Sequence, residues 1–171
     1  MSDGNSTQQR IAAQASAFKV AAIQMASGPN VMGNLSEARR LIAKAVEQGA
    51  RLVVLPEFFA IMGMTDQDKV AVREQPGQGQ IQTFLSEIAR QNKIWLVGGS
   101  IPLVASTPDK VRNTCLVFDE YGEQVARYDK IHLFNIELGN EKYQEANTIE
   151  PGNQVVLVDS PFGRIGLAVC Y

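Results

Sequence analysis

The sequence predicts an α/β domain built on a mixed sheet, with crossover connections in its first half and hairpins in its second. Two observations carry this. Short apolar runs alternate with amphipathic helical stretches as far as the pair Gly98-Gly99. Beyond that pair, apolar runs are joined by tight turns and no helical periodicity returns.

The elements follow in order. Residues 1–17 are polar and rich in Ala, Ser and Gln, and are expected to form a disordered tail ahead of a domain over 18–171. The run over 18–25 is mostly apolar and is closed by Ser27-Gly28-Pro29-Asn30, which makes it a buried strand. Asn34-Leu35-Ser36-Glu37 supplies a helix start, with Asn as cap and Glu three residues on. Leu35, Ala38, Leu41, Ile42, Ala45 and Val46 then recur at helical spacing up to Gly49. Residues 51–55 form a short buried strand ended by Pro56, completing a strand–helix–strand crossover. Ile81, Phe84, Leu85, Ile88 and Ala89 make a second helix face, followed by a strand over 94–99. Residues 113–118 and 123–128, turning at Asp119-Glu120-Tyr121-Gly122, form a hairpin. The stretch 135–152 reads as polar and irregular. Residues 155–158 and 165–169, turning at Ser160-Pro161-Phe162-Gly163, form a second hairpin. Two helices cover only part of such a sheet, so the architecture is expected to be incomplete.

Composition narrows the class. An apolar fraction of 45% and a charged fraction of 20% are those of an ordinary globular protein. A net charge of −2 with no basic cluster argues against nucleic acid or an anionic membrane as partner. No stretch approaches the roughly 18 apolar residues that span a bilayer. Two cysteines give no disulfide framework, which favours a reducing, cytoplasmic setting. One His and two Cys cannot supply the four ligands of a usual structural zinc site.

Three residues that can do chemistry stand just past apolar strands: Glu57, Lys130 and Cys170. Catalytic groups in α/β sheets gather at such carboxyl ends. Glu57, in Leu55-Pro56-Glu57-Phe58-Phe59, is a carboxylate flanked by apolar groups and suited to acid–base work. Lys130 offers an ammonium for a developing oxyanion. Cys170 offers a nucleophile at the end of a run over 165–169, and the following Tyr171 offers a backbone N–H to the same oxygen. Each has a bland alternative: a solvated loop Glu, an exposed Lys, a core Cys. Asp129 is a rival acid expected to face solvent. His132 is an alternative base, although a structural role suits it better. Cys115, inside a hairpin strand, is expected in the core.

Leu-Pro-Glu57, Tyr-Asp-Lys130-Ile-His-Leu-Phe and Gly-Leu-Ala-Val-Cys170-Tyr, in this order, resemble the nitrilase superfamily of carbon–nitrogen hydrolases. The resemblance runs from about Phe18 to Tyr171 and is nearest the amidase branch that includes deaminated glutathione amidase and omega-amidase. It implies an α-β-β-α sandwich with a cysteine nucleophile on a strand-to-helix elbow. It implies Glu57 as general base, Lys130 and the Tyr171 N–H as oxyanion donors, and Cys170 as the atom that forms a thioester. Glu145 matches a second family glutamate that precedes a Pro-Gly, with Ala146 in place of the usual Ser, whereas the spacing of Glu150 fits less well. The implied reaction is hydrolysis of an omega-amide of a small carboxylic acid, releasing ammonia with no metal or cofactor, in a homo-oligomer. Nitriles and N-carbamoyl compounds pass through similar states and stay open as substrates. Family members continue beyond the cysteine, so the chain is expected to be the N-terminal part of such an enzyme. The alternative is a non-catalytic module that binds or co-assembles through an uncovered sheet.

Overall fold

The computed structural model describes residues 17–138 and 141–170. The expected tail lies outside the described residues, apart from Ala17. The main sheet has six strands: β1 (Lys19–Ala22), β2 (Ala50–Val54), β3 (Trp95–Val97), β4 (Ile101–Val104), β5 (Val111–Phe118) and β6 (Gln124–Asp129). β1, β2 and β3 run parallel, joined through helices. β5 is antiparallel to β3, β4 and β6. The mixed sheet expected from the sequence is therefore present, with crossovers first and hairpins later.

Strand alternation sorts the apolar residues onto two faces. Val53, Leu96 and Leu116 point to one side, where α1 (Val31–Glu47) and α3 (Gln80–Asn92) cover them with Leu35, Ala38, Ile42, Ile81, Leu85 and Ile88. Their neighbours Leu52, Val97, Cys115 and Val117 point to the other side. There they meet Val158 and Leu167, contributed by and just beyond a hairpin of β9 (Leu157–Ser160) and β10 (Gly163–Gly166). The result is three layers: helices, six-stranded sheet, hairpin.

Five local expectations need correction. The buried strand expected over 18–25 is β1, which spans only Lys19–Ala22 and is largely exposed. The first helix starts at Val31, not at Asn34. Asn30 is the cap and accepts from the Gly33 N–H at 2.9 Å. The Asn34 amide is buried in the helix and instead ties Gly28 and Ala60 together. The strand over 94–99 breaks after Val97, and β4 continues along the same edge of β5 with the register stepped by one residue. Gly99 makes that break possible. Its φ is +57°, and a Cβ there would lie 2.0 Å from the Pro56 carbonyl oxygen.

The polar stretch 135–152 is not irregular throughout. It holds β7 (Asn135–Leu138) paired with β8 (Glu141–Gln144), then a 3-10 turn at Glu145–Asn147. A short α2 (Asp68–Ala71) also precedes α3. Finally, the last strand ends at Gly166, earlier than expected, although Leu167 still bonds the Val156 carbonyl at 3.0 Å.

Candidate active site

Glu57 is placed by the end of β2. The Leu55 N–H continues the ladder to Val97 at 2.9 Å, and Pro56 then removes the next donor. Directly after Glu57 the chain turns through Phe58 at φ +49°, an uncommon conformation for a residue with a side chain. Its N–H is held by the hydroxyl of buried Ser100 at 3.0 Å, so the break that β4 follows also anchors this turn.

Lys130 follows β6. Its N–H donates to the Asn113 carbonyl at 2.9 Å, and its carbonyl accepts from Gly152 at 2.8 Å. Gly152 is required there, since a Cβ would lie 2.2 Å from the Asp129 carbonyl oxygen. With both backbone groups pinned, the side chain runs inward and is only 1% exposed.

Its ammonium meets two carboxylates. Nζ lies 3.0 Å from Glu57 Oε1, and 3.0 and 2.9 Å from the two Glu145 oxygens. Glu145 is itself fixed by the 3-10 turn. Its Oε2 accepts the Phe134 N–H at 2.7 Å, and its own N–H returns to the Phe134 carbonyl at 3.1 Å. Burial works against the lysine charge, but the hydrogen bonds that Nζ donates to Glu145 and Glu57 outweigh it and hold the Lys130 pKa above the usual lysine value.

Cys170 lines the same cleft as Glu57, Lys130 and Glu145, a space of about 780 Å³ walled also by Phe58, Ile61, Phe134 and Tyr143. The thiol residue is exposed, and its φ is +68°. Strained backbone of this kind gathers at reactive residues. Cys115, in contrast, is buried on the hairpin face, where desolvation pushes its thiol up to about 12. Tyr171 lies outside the described residues.

The rival residues lie elsewhere. His132 is exposed and does not line the cleft. Glu150 bonds Ser106 and Arg112. Asp129 was expected to face solvent; it accepts from Thr114 at 2.6 Å and pairs with Arg127, which gives it a structural task. Among the described residues, no group of three His, Cys, Asp or Glu could hold a metal ion, and no helix is long and apolar enough to cross a membrane.

Sequence reasoning missed Asn113. It is fully buried on β5 and donates Nδ2–H to Glu57 Oε1 at 2.8 Å. The sequence signal is slight: Asn is disfavoured in strands, but here it stands between Arg112 and Thr114 ahead of the apolar run over 115–118.

Comparison with known proteins gives the family and the fold. The carbon-nitrogen hydrolase family matches residues 19–171. The chain is 36% identical over 155 residues to deaminated glutathione amidase of Yersinia enterocolitica, covering 89% of this chain and 54% of that one. It is 36% identical over 162 residues to omega-amidase NIT3 of Saccharomyces cerevisiae, covering 90% and 55%. The crystal structure of Saccharomyces cerevisiae Nit3, a member of branch 10 of the nitrilase superfamily, superposes with a TM-score of 0.76 at 32% identity, over 90% of this chain and 55% of that one. An amidase from Nesterenkonia sp. AN1, in a form showing Michael addition of acrylamide at its active-site cysteine, gives 0.71 at 28% identity over 91% and 58%. The chain spans about half the length of the curated relatives it matches. A buried lysine between two carboxylates, a cysteine on the same cleft and the family match over 19–171 lead to one assignment: the chain belongs to the carbon-nitrogen hydrolase family.

Proposed function

We propose that the chain carries the catalytic residues of an amidase that hydrolyses an omega-amide of a small carboxylic acid and releases ammonia. The observation that carries this reading is the convergence of Glu57, Lys130, Glu145 and Cys170 on one cleft, with the lysine buried between the carboxylates. An amide is a poor electrophile. Its cleavage needs a strong nucleophile, a fixed donor for the oxygen and a proton for the leaving amine.

Cys170 sulfur attacks the carbonyl carbon as its proton passes to Glu57. The carbonyl oxygen gains charge and is held by Lys130, with the Tyr171 N–H as second donor. Glu57 then protonates the nitrogen, the C–N bond breaks, ammonia departs and a thioester remains. Water attacks the thioester, giving up its proton to a carboxylate, and the acid leaves as the thiol re-forms. Glu145 serves by orienting Lys130 and that water.

Omega-amides of 2-oxo acids or dicarboxylates are the favoured substrates, supported by the amidase relatives. Two free cysteines suit the cytoplasm, and a homo-oligomer is the expected assembly. The test is ammonia release from such amides by the whole protein. Cys170→Ala should lower turnover by about a thousandfold or more with the melting midpoint nearly unchanged. Retained turnover in that variant would falsify the nucleophile assignment.

A further inference from the structure

We infer that Asn113 is the positioning residue of this site: its amide occupies Glu57 Oε1, leaving Oε2 as the oxygen that takes the Cys170 proton. The inference rests on the proposed base role of Glu57 and extends it to one atom.

Glu57 Oε1 accepts twice, from Asn113 Nδ2 at 2.8 Å and from Lys130 Nζ at 3.0 Å. Oε2 accepts no hydrogen bond from any described residue. A carboxylate held by two donors on one oxygen has its rotation about the last side-chain bond fixed. The proton-accepting lone pairs are then those of the other oxygen. Glu57 is 31% exposed at its side chain, so Oε2 has an open side within the cleft that Cys170 lines.

The other end of the Asn113 amide has no such partner among the described residues. A carboxylate can only accept, so the atom facing Glu57 must be the nitrogen. That choice turns Oδ1 into the interior, where it is buried with no hydrogen-bond partner among the described residues. An unpaired buried acceptor is a standing loss to stability. Asn113 also stands opposite Pro102 on β4, and its backbone carbonyl already holds Lys130 in place. The fold therefore uses the backbone of this residue and gains nothing from its side-chain oxygen. An apolar side chain of similar size would serve packing as well or better. The amide is explained by what it does to Glu57.

Glu57 lies 56 residues from Asn113 and 73 from Lys130, so no local element orients its side chain. Asn113 sits on β5, paired on one edge with β4 and next to Thr114, which pairs with both Ile101 and Asp129. It is thus a donor mounted on a strand that is paired on both edges.

The experiment compares Asn113→Leu, Glu57→Gln and the double variant in the whole protein. One readout is the rate at which iodoacetamide alkylates Cys170, followed by peptide mass spectrometry; sulfur gains the carbon, iodide leaves and the thiol proton goes to the base. The other is amide turnover, resolved into kcat and KM. Asn113→Leu should melt at or above the parent temperature. It should slow alkylation and kcat about tenfold while KM stays within about twofold. In the Glu57→Gln background the same change should cost less than about twofold, because its effect passes through Glu57. Unchanged alkylation, an additive double variant, or a loss confined to KM overturns the inference. Asn113→Ala, which leaves room where leucine is too bulky, is read in the same way, and either variant decides. If Glu57→Gln slows both readouts and Asn113→Leu slows neither, this inference alone falls. If Glu57→Gln slows neither, the base role of Glu57 falls first. If alkylation responds as expected while no amide is hydrolysed, the positioning role stands and the amidase reading fails.

Discussion

On the helix-covered face of the sheet, Ile42, Ile81, Leu85 and Leu96 are as fully buried as any described residue, and their side chains share one apolar cluster. In the cleft at the strand ends, Lys130 is buried to the same degree and sits between two carboxylates. The first region is relaxed. Helical spacing and strand alternation place its apolar side chains, and the buried Glu74 carboxylate beside them is satisfied by the Ile81 and Gln82 N–H groups at the start of α3. The second region gathers in one place a buried ammonium, an amide oxygen on Asn113 with no partner among the described residues, and positive φ at Phe58 and Cys170. Burial alone thus says little about purpose. What distinguishes the two regions is whether the buried group stabilises the fold or is stabilised by it.

The largest effect should come from removing the charge at the centre of the cleft. Lys130→Met leaves Glu145, and beside it Glu57, without a counter-ion. We expect a loss of about 3 to 5 kcal/mol in chemical denaturation together with loss of turnover. The pH dependence has a definite sign. The folded pKa of Lys130 lies above 10.5, so its contribution is complete below that value and is lost as pH rises through the folded pKa. Alkaline melting curves should show this loss in the parent and lack it in Lys130→Met.

The matching cut in the relaxed region is Ile42→Ala. It should lower stability by about 3 kcal/mol, from lost burial and a residual cavity. Turnover per folded molecule should not change. A fall in kcat measured well below the melting range would break the separation between the two regions.

The smallest effect belongs to the second cysteine. Cys115→Ala should destabilise by about 1 kcal/mol and leave the alkylation rate of Cys170 untouched. In the parent, brief exposure to iodoacetamide at neutral pH should label Cys170 and spare Cys115, whose thiol is held near 12 by burial. Equal labelling of both would erase the contrast.

Much of the relaxed region could be read from the chain. Leu35, Ala38, Ile42 and Ala45 lie on the buried face of the first helix, as do Ile81, Leu85 and Ile88 on the second, because helical spacing is a local property. The hairpin of β5 and β6 was equally legible. The misses have local causes as well. Asn30 and Asn34 are both chemically fit to cap, and only the packing of Gly28 and Ala60 around Asn34 chooses between them. β4 was hidden by a Gly pair and a proline, and β7 and β8 by polar side chains, since a hairpin can form from backbone bonds without an apolar signature.

The sequence by itself determined the fold class, the helix faces and the family, together with Glu57, Lys130, Glu145 and Cys170 as the residues to watch. These follow from spacing within a few residues and from short motifs in order. Only the tertiary structure decided that Glu145, and not Glu150, meets the lysine, that His132 stands outside the cleft, and that Asn113 belongs to it. The physical reason is separation along the chain. Contacts spanning 56 and 73 residues arise when the sheet aligns its strand ends, and no local pattern records which side chains will then face one another.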